Sequence, residues 1–209
     1  MAINFTKMAT AGAHASTLNF TKAVAVAPGE RIELPADLTD VRVELYWESA
    51  NDGDASVVLL NADKKAVPAG IVFYDQLSLH GVTHSGDIKS SGDGDSSKPE
   101  ETIRIKFSAI PAEIDSLLTI ASTYPSADDA EQKAVPFGKL RDCRALVIND
   151  VTNEVLYGCE LDEDFSTFTS VELTSFYRKG TGWRMTNMNA GVGTSAKALE
   201  DIAAKYDIK

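Results

Sequence analysis

Short segments with alternating or continuous apolar residues run through most of the chain and constrain its fold more than any other feature. In residues 41–47 every second side chain, from Val41 to Trp47, is apolar, while Arg42 and Glu44 stand between them. This period of two is typical of a strand with one face in the core. Residues 102–107 show the same alternation. We therefore expect a mostly β protein.

Pairs of such segments, joined by turn-forming residues, predict three hairpins. They pair residues 56–60 with 70–74, residues 144–148 with 154–161, and residues 170–178 with 183–188. Residues 117–121 form another apolar segment, and residues 18–26 alternate weakly. Many short strands joined by turns point to a sandwich or a barrel.

Only the C-terminal end of the chain has the spacing of a helix. There Leu199, Ile202 and Tyr206 recur at helical intervals, after Thr194 or Ser195 as a cap. This pattern predicts a short C-terminal helix.

The chain shows no internal repeat and no break in composition, which favours one domain over residues 17–209. Residues 1–16 are small, polar and aperiodic, so we expect a flexible N-terminal arm. No apolar run is long enough to predict a transmembrane segment, and the first residues do not resemble a secretory signal. These features predict a cytoplasmic protein.

The charge balance bears on the class of partner. The net charge is −11, from 31 acidic and 20 basic residues. Such a chain repels a phosphate backbone, so no nucleic acid is expected as a partner. An excess of acidic residues serves either solubility or cation binding. Cation binding requires the acids to be clustered in loops, whereas solubility does not.

One glycine-rich stretch, residues 84–97, contains such a cluster. Asp87, Asp93 and Asp95 fall within nine positions, with glycines between them. Calcium requires six to eight oxygen ligands around one point, and glycine lets a loop fold back tightly enough to supply them. The alternative is a solvated turn, because Asp and Gly are also ordinary turn residues.

A second cluster, Asp52 and Asp54 around Gly53, opens a predicted strand. Acids at the ends of neighbouring strands can converge at one edge of a sandwich, where Asp75 could join them. The long polar stretch of residues 75–101 supports a functional loop, because such loops are uncommon in compact domains. We predict one divalent-cation site, with Ca²⁺ as the ion.

Other reactive residue types give weaker signals. His80 and His84 are interpreted as loop residues. Cys143 and Cys159 flank a predicted hairpin turn and could face one another, but we favour buried free thiols in a reducing compartment. The sequence has no nucleophile elbow and no phosphate-binding loop, so we do not expect an enzyme.

Taken in order, several short motifs resemble those of the TerD-like family of tellurium-resistance and bacterial general-stress proteins. The motifs are Asp52-Gly53-Asp54-Ala55-Ser56, Phe73-Tyr74, His84-Ser85-Gly86-Asp87, Gly92-Asp93-Gly94-Asp95, Ile110-Pro111-Ala112-Glu113-Ile114-Asp115, Val147-Ile148-Asn149-Asp150, Phe176-Tyr177-Arg178 and Gly182-Trp183. The resemblance extends from about Thr17 to the end of the chain.

This resemblance implies a β-sandwich of two packed sheets that binds calcium through acidic loops. It implies metal-binding roles for Asp52 and Asp54, which match an Asp-x-Asp-Ala-Ser motif, and for Asp87, which matches the acid of a His-Thr-Gly-Asp segment. It implies the same role for Asp93 and Asp95, which match an acidic glycine-rich run, and for Glu101, which matches the acid before the next strand.

The chain also departs from the family pattern. Ala50 stands where a further Asp is common, Asp75-Gln76 replaces a pair of Asn, and the segment Ser122-Thr123-Tyr124-Pro125 lacks the Ile-His-Asp of the family. One ion site is therefore expected to be intact and a second weakened. The predicted function is that of a calcium-binding stress-response protein that acts by binding and assembly rather than catalysis, with other protein subunits as partners. The alternative is an assembly protein that kept the fold with weakened ion binding, its subunits tied together by the N-terminal arm.

Overall fold

The computed structural model describes residues 18–20, 27–32, 34–48, 52–88, 98–124, 135–193 and 198–209. Along the chain, the first six strands are β1 (Arg31–Ile32), β2 (Asp40–Glu48), β3 (Asp52–Leu60), β4 (Ala66–Val72), β5 (Ser78–Leu79) and β6 (Val82–His84). They are followed by β7 (Glu101–Lys106), β8 (Ser116–Tyr124), β9 (Arg141–Asn149), β10 (Val155–Glu160), β11 (Ser170–Lys179) and β12 (Gly182–Gly193). The α-helices are α1 (Leu161–Asp164) and α2 (Ala198–Tyr206).

These strands form two six-stranded antiparallel sheets. The first sheet has the order β1-β12-β11-β8-β3-β4, and the second has the order β10-β9-β2-β7-β6-β5. The predicted mostly β fold with two packed sheets is confirmed, as is the short C-terminal helix. The three predicted hairpins correspond to β3–β4, β9–β10 and β11–β12.

The main core lies between the sheets, because alternate side chains of each strand point inward. From β2 the inward residues run from Val41 to Trp47, and Trp47 is fully buried. The outer face of the first sheet carries a second apolar cluster, in which Ile202 of α2 packs with Val58 and Ile120. The C-terminal helix therefore covers one part of that sheet.

The polar stretch of residues 75–101 differs from the expected loop. It contains β5 and β6, and β6 pairs with β7 through contacts such as His84 with Ile103. Strands of two and three residues are too short to show a period in the sequence. In the weakly predicted first strand, Asn19 forms a single parallel bridge with Glu154. Residues 21–26 and the predicted arm, residues 1–16, lie outside the described part of the chain.

Cys143 and Cys159 are buried free thiols on β9 and β10, as expected. Cys159 is opposite Ala145 in the register, so the two cysteines are not direct cross-strand partners. Burial raises the pKa of Cys159 to about 12 and that of Cys143 well above its ordinary value. Within the described ranges, no helix is both long and apolar enough to cross a membrane.

Candidate metal centre

The first half of β3 has a hydrogen-bonding edge that no described strand covers. On one side β3 pairs with β8 from Asp52 to Leu60. On the other side β4 pairs with β3 only from Val57 onward, because the chain turns away after Val72. The backbone groups that precede Val57 on this side must therefore find partners elsewhere.

Two side chains of the second sheet complete this edge at Ala55. The Ala55 N–H donates to Glu101 Oε2 at 2.7 Å. The Ala55 carbonyl oxygen lies 3.1 Å from His84 Nε2. Glu101 and His84 are both buried, at 0% and 8% exposure. The carboxylate and the imidazole thus take the place of a neighbouring strand and join the two sheets.

His84 also holds the segment that leads to Asp87. The Gly86 N–H donates to His84 Nδ1 at 3.0 Å, so we assign the ring proton to Nε2, which faces the Ala55 oxygen and Glu101 Oε2. Gly86 has φ of +106°, a conformation that favours glycine. The prediction of His84 as a loop residue was wrong, because it ends β6 and points into the protein.

Three carboxylates converge beside this edge. Asp52, Asp54 and Asp87 each place an oxygen within 4.8 Å of the others. Asp54 is 4% exposed and Asp52 9%, whereas Asp87 is open to solvent. Together with Glu101, these residues are called the acid pocket below. Asp52 and Asp54 lie within a strand, so a rigid element positions them.

The charges of the acid pocket repel one another. Burial, and then the charges of Glu101, Asp52 and Asp87, raise the pKa of Asp54 to about 9. Asp54 Oδ2 and Glu101 Oε1 are buried and have no hydrogen-bond partner in the described part of the protein. Neither residue forms an ion pair there with Lys or Arg. A group of carboxylate oxygens with unused lone pairs fits a hard divalent cation.

Two tyrosines border the acid pocket. Tyr124 is the direct cross-strand partner of Asp52. Its ring packs edge-on against Tyr74, with centroids 5.6 Å apart, and the two hydroxyl oxygens are 3.5 Å apart. Burial and the contact with Tyr74 raise the pKa of Tyr124. The residue that departs from the family motif therefore places an uncharged phenol next to the carboxylates.

The structure brings together part of the predicted metal-binding set. Asp52, Asp54 and Asp87 form the three-carboxylate group, and Glu101 lies at the strand edge near Asp54. Asp75 is exposed in the turn after β4 and does not belong to that group. Two further predicted ligands lie outside the described residues, namely Asp93 and Asp95.

Sequence reasoning missed two kinds of residue in this site. His84 was given no role, although its place two residues after Val82 is compatible with a strand that alternates. Ser122 lies opposite Asp54 in the register. The sequence marked Ser122 only as part of a segment that departs from the family pattern, because the pairing of β3 with β8 is a long-range contact.

Comparison with known proteins supports the family resemblance. The TerD domain family matches residues 23–206. General stress protein 16U of Bacillus subtilis is 31% identical over 200 residues, covering 89% of this chain and 98% of that protein. Tellurium resistance protein TerD of an Alcaligenes species is 30% identical over 181 residues, covering 82% of this chain and 88% of that protein.

A solved structure has a similar fold. It is a homologue of telluride resistance protein (TerD) from Streptomyces coelicolor A3(2), and it superposes with a TM-score of 0.62 at 15% identity. The alignment covers 76% of this chain and 92% of the other. At this identity the match supports the sandwich architecture alone.

Proposed function

The chain belongs to the TerD domain family, and from this membership and the acid pocket we propose a calcium-binding stress-response protein of the tellurium-resistance type. In this proposal it acts in the cytoplasm by binding and assembly with other protein subunits rather than by catalysis. The observation that carries the proposal is Asp54, a buried carboxylate among three other acids, one oxygen of which has no hydrogen-bond partner among the described residues.

A divalent cation would resolve the electrostatics of the acid pocket. Asp52, Asp54 and Asp87 would hold the ion, because their oxygens already lie within 4.8 Å of one another. Glu101 Oε2 is engaged by Ala55, so its contribution is mainly its charge and the orientation of β3. The ion would supply the positive charge that no described Lys or Arg gives to Asp54. An all-oxygen donor set favours calcium over softer metals.

The surroundings of the acid pocket support binding rather than catalysis. Both ring nitrogens of His84 are engaged, one by Gly86 and one by Ala55 and Glu101. A general base needs a nitrogen that can reach a substrate. The cysteines are buried, and the pKa of Cys159 is raised, which disfavours a thiolate nucleophile. The two thiols also fit a reducing cytoplasm.

Thermal unfolding with and without calcium tests the proposal. A ligand that binds only the folded state stabilises it, by about 2.7 kcal/mol at a concentration one hundred times its Kd. We expect millimolar calcium to raise the Tm of the chelator-treated protein by several degrees, and magnesium to raise it less. Calorimetric titration of the same sample gives the Kd and the number of ions.

Asp63→Asn is a control for the loss of an acid outside the acid pocket, because Asp63 is exposed in the turn between β3 and β4. This variant should keep the full response to calcium. If calcium leaves the Tm of the wild-type protein unchanged, ion binding is refuted and an assembly protein without the ion becomes the better description. Survival of a tellurite-sensitive bacterium that expresses the wild-type chain tests the stress role separately.

A further inference from the structure

The carboxylates of the acid pocket adjoin a group of serine hydroxyls on the outer face of the first sheet. Asp54 of β3 is the direct partner of Ser122 of β8. Ser56 follows Asp54 by two residues in the same strand and therefore lies on the same face. Direct cross-strand partners have Cβ atoms about 4.5–5.5 Å apart. Ser122 and Asp54 thus project from neighbouring positions on the same face of the sheet.

Both hydroxyls are buried and have no hydrogen-bond partner within the described ranges of the chain. Ser122 is 0% and Ser56 1% exposed, and neither Oγ has a hydrogen-bond partner among the residues that the structure describes. Asp54 Oδ2 is unpartnered in the same way. Buried polar atoms in native proteins are almost always hydrogen-bonded. Three buried oxygens without a partner among the described residues, on one small area of sheet, therefore fit a shared ligand better than three separate defects.

Other buried hydroxyls of β8 are satisfied. Thr119 Oγ1 lies 2.8 Å from Thr174 Oγ1. Ser116 Oγ, on the same face as Ser122 but at the other end of the strand, accepts a hydrogen bond from Lys64 Nζ at 3.2 Å. The lack of partners is thus confined to the end of the strand that adjoins the acid pocket.

We propose that the hydroxyl oxygens of Ser122 and Ser56 are neutral ligands on the buried side of the cation and favour calcium over magnesium. The inference rests on the proposed calcium binding. Calcium takes six to eight oxygens in flexible geometry, so neutral hydroxyls extend the set of three carboxylates without adding charge. Magnesium is smaller and keeps several waters, so it gains less from fixed hydroxyl oxygens on a rigid strand.

Calorimetric titration of Ser122→Ala with calcium and with magnesium tests the inference. We expect the calcium Kd to rise by roughly tenfold, in the range seen when a supporting group of a metal site is lost, and the magnesium Kd to change less. The Tm of the calcium-free variant should equal or exceed that of the wild type. The substitution removes a hydroxyl that has no hydrogen-bond partner among the described residues of the ion-free protein, so it should not destabilise that state. A merely structural role of Ser122 predicts a lower Tm instead.

Ser116→Ala is the matched control, since it removes a bonded serine hydroxyl from the same face of the same strand. Its calcium Kd should equal that of the wild type. Ser56→Ala is a second variant of the proposed site and should weaken calcium binding in the same direction as Ser122→Ala. It keeps the inference testable if Ser122→Ala does not fold.

The outcomes separate the inference from the function on which it rests. If the wild type does not bind calcium, both are refuted. If the wild type binds calcium and the two serine variants bind it equally well, only the role of the hydroxyls is refuted. A lower Tm of calcium-free Ser122→Ala, with an unchanged calcium Kd, would assign the hydroxyl to folding and would also overturn the inference.

Discussion

Two buried carboxylates, Glu44 on β2 and Asp54 on β3, have almost the same exposure but opposite surroundings. Glu44 is 2% exposed and Asp54 is 4% exposed. Glu44 accepts hydrogen bonds from Arg42 Nε at 2.6 Å and from the Tyr46 hydroxyl at 2.5 Å. Asp54 instead lies among further acids, and its Oδ2 has no hydrogen-bond partner in the part of the chain that the structure describes. Burial of an acid is therefore no sign of a site unless the neighbouring charges are left uncompensated.

The charge network around Glu44 is continuous. Arg42 Nη1 forms a second ion pair with Asp150 Oδ1 at 3.0 Å. The guanidinium of Arg144 lies 4.3 Å from the centroid of the Tyr46 ring. These contacts cover the outer face of the second sheet, beside an apolar cluster that includes Leu18 and Ile148. We interpret this network as structural and the acid pocket as functional.

The largest effect is expected from Arg42→Met, which removes the guanidinium from Glu44 and leaves a buried carboxylate without its cation. Breaking such a pair on one side costs about 3–5 kcal/mol. We therefore expect a loss of about 3 kcal/mol in the free energy of unfolding by urea. The calcium response should be unchanged, because Arg42 pairs with Glu44 and Asp150, neither of which belongs to the acid pocket.

Arg104→Met is the matched control for Arg42→Met. Arg104 Nε also pairs with Asp150, at 3.2 Å, but the Arg104 side chain is 55% exposed. Exposed ion pairs contribute about 0–1 kcal/mol. Equal losses for the two variants would contradict the distinction between a buried network and a surface pair.

Asp54→Asn is expected to have a smaller effect of the opposite sign. In the absence of calcium it removes an acid that burial and neighbouring charges destabilise, so the free energy of unfolding should rise by about 1–2 kcal/mol at neutral pH. The stabilisation by calcium should be lost in the same variant. Thermal melts with chelator and with calcium measure both effects. A calcium-free variant less stable than the wild type would show that Asp54 is structural, like Glu44.

The two carboxylates also differ in how much of their surroundings can be predicted from the sequence. Alternation in β2 predicts that Val41 and Trp47 face the core, and the structure confirms it. The same alternation assigns Glu44 to the opposite face, which would ordinarily be solvated. Nothing local indicates that the outer face is covered, because its burial depends on contacts with distant segments such as Leu18.

For the acid pocket, sequence patterns identified the acids but not the residues beside them. Asp52, Asp54 and Asp87 stood out because glycines accompany them, and the structure brings their oxygens together. Residues without such a signal were missed. Ser122 lies opposite Asp54 within the first sheet, and His84 contacts Ala55 across the two sheets, so both placements depend on residues far apart in the sequence. Single-sequence periodicity does not contain that information.

Tyr46→Phe is expected to have the smallest effect, and that effect depends on pH. The variant leaves Glu44 with Arg42 but without the phenol hydroxyl, so near neutral pH it should lose about 1 kcal/mol of unfolding free energy. Burial, together with the charge and hydrogen bond of Glu44, raises the pKa of Tyr46 well above its ordinary value.

This raised pKa fixes the sign of the pH dependence. In the unfolded chain the phenol ionises near pH 10, while the folded protein keeps its proton, so the folded state binds more protons. The stabilisation by Tyr46 is complete below about pH 10 and falls by up to about 1.4 kcal/mol per pH unit above it. Urea unfolding at neutral pH and near pH 11 should therefore show the wild type losing its advantage over Tyr46→Phe. An advantage that stays constant or grows would mean that the Glu44 network does not hold the phenol in its protonated form.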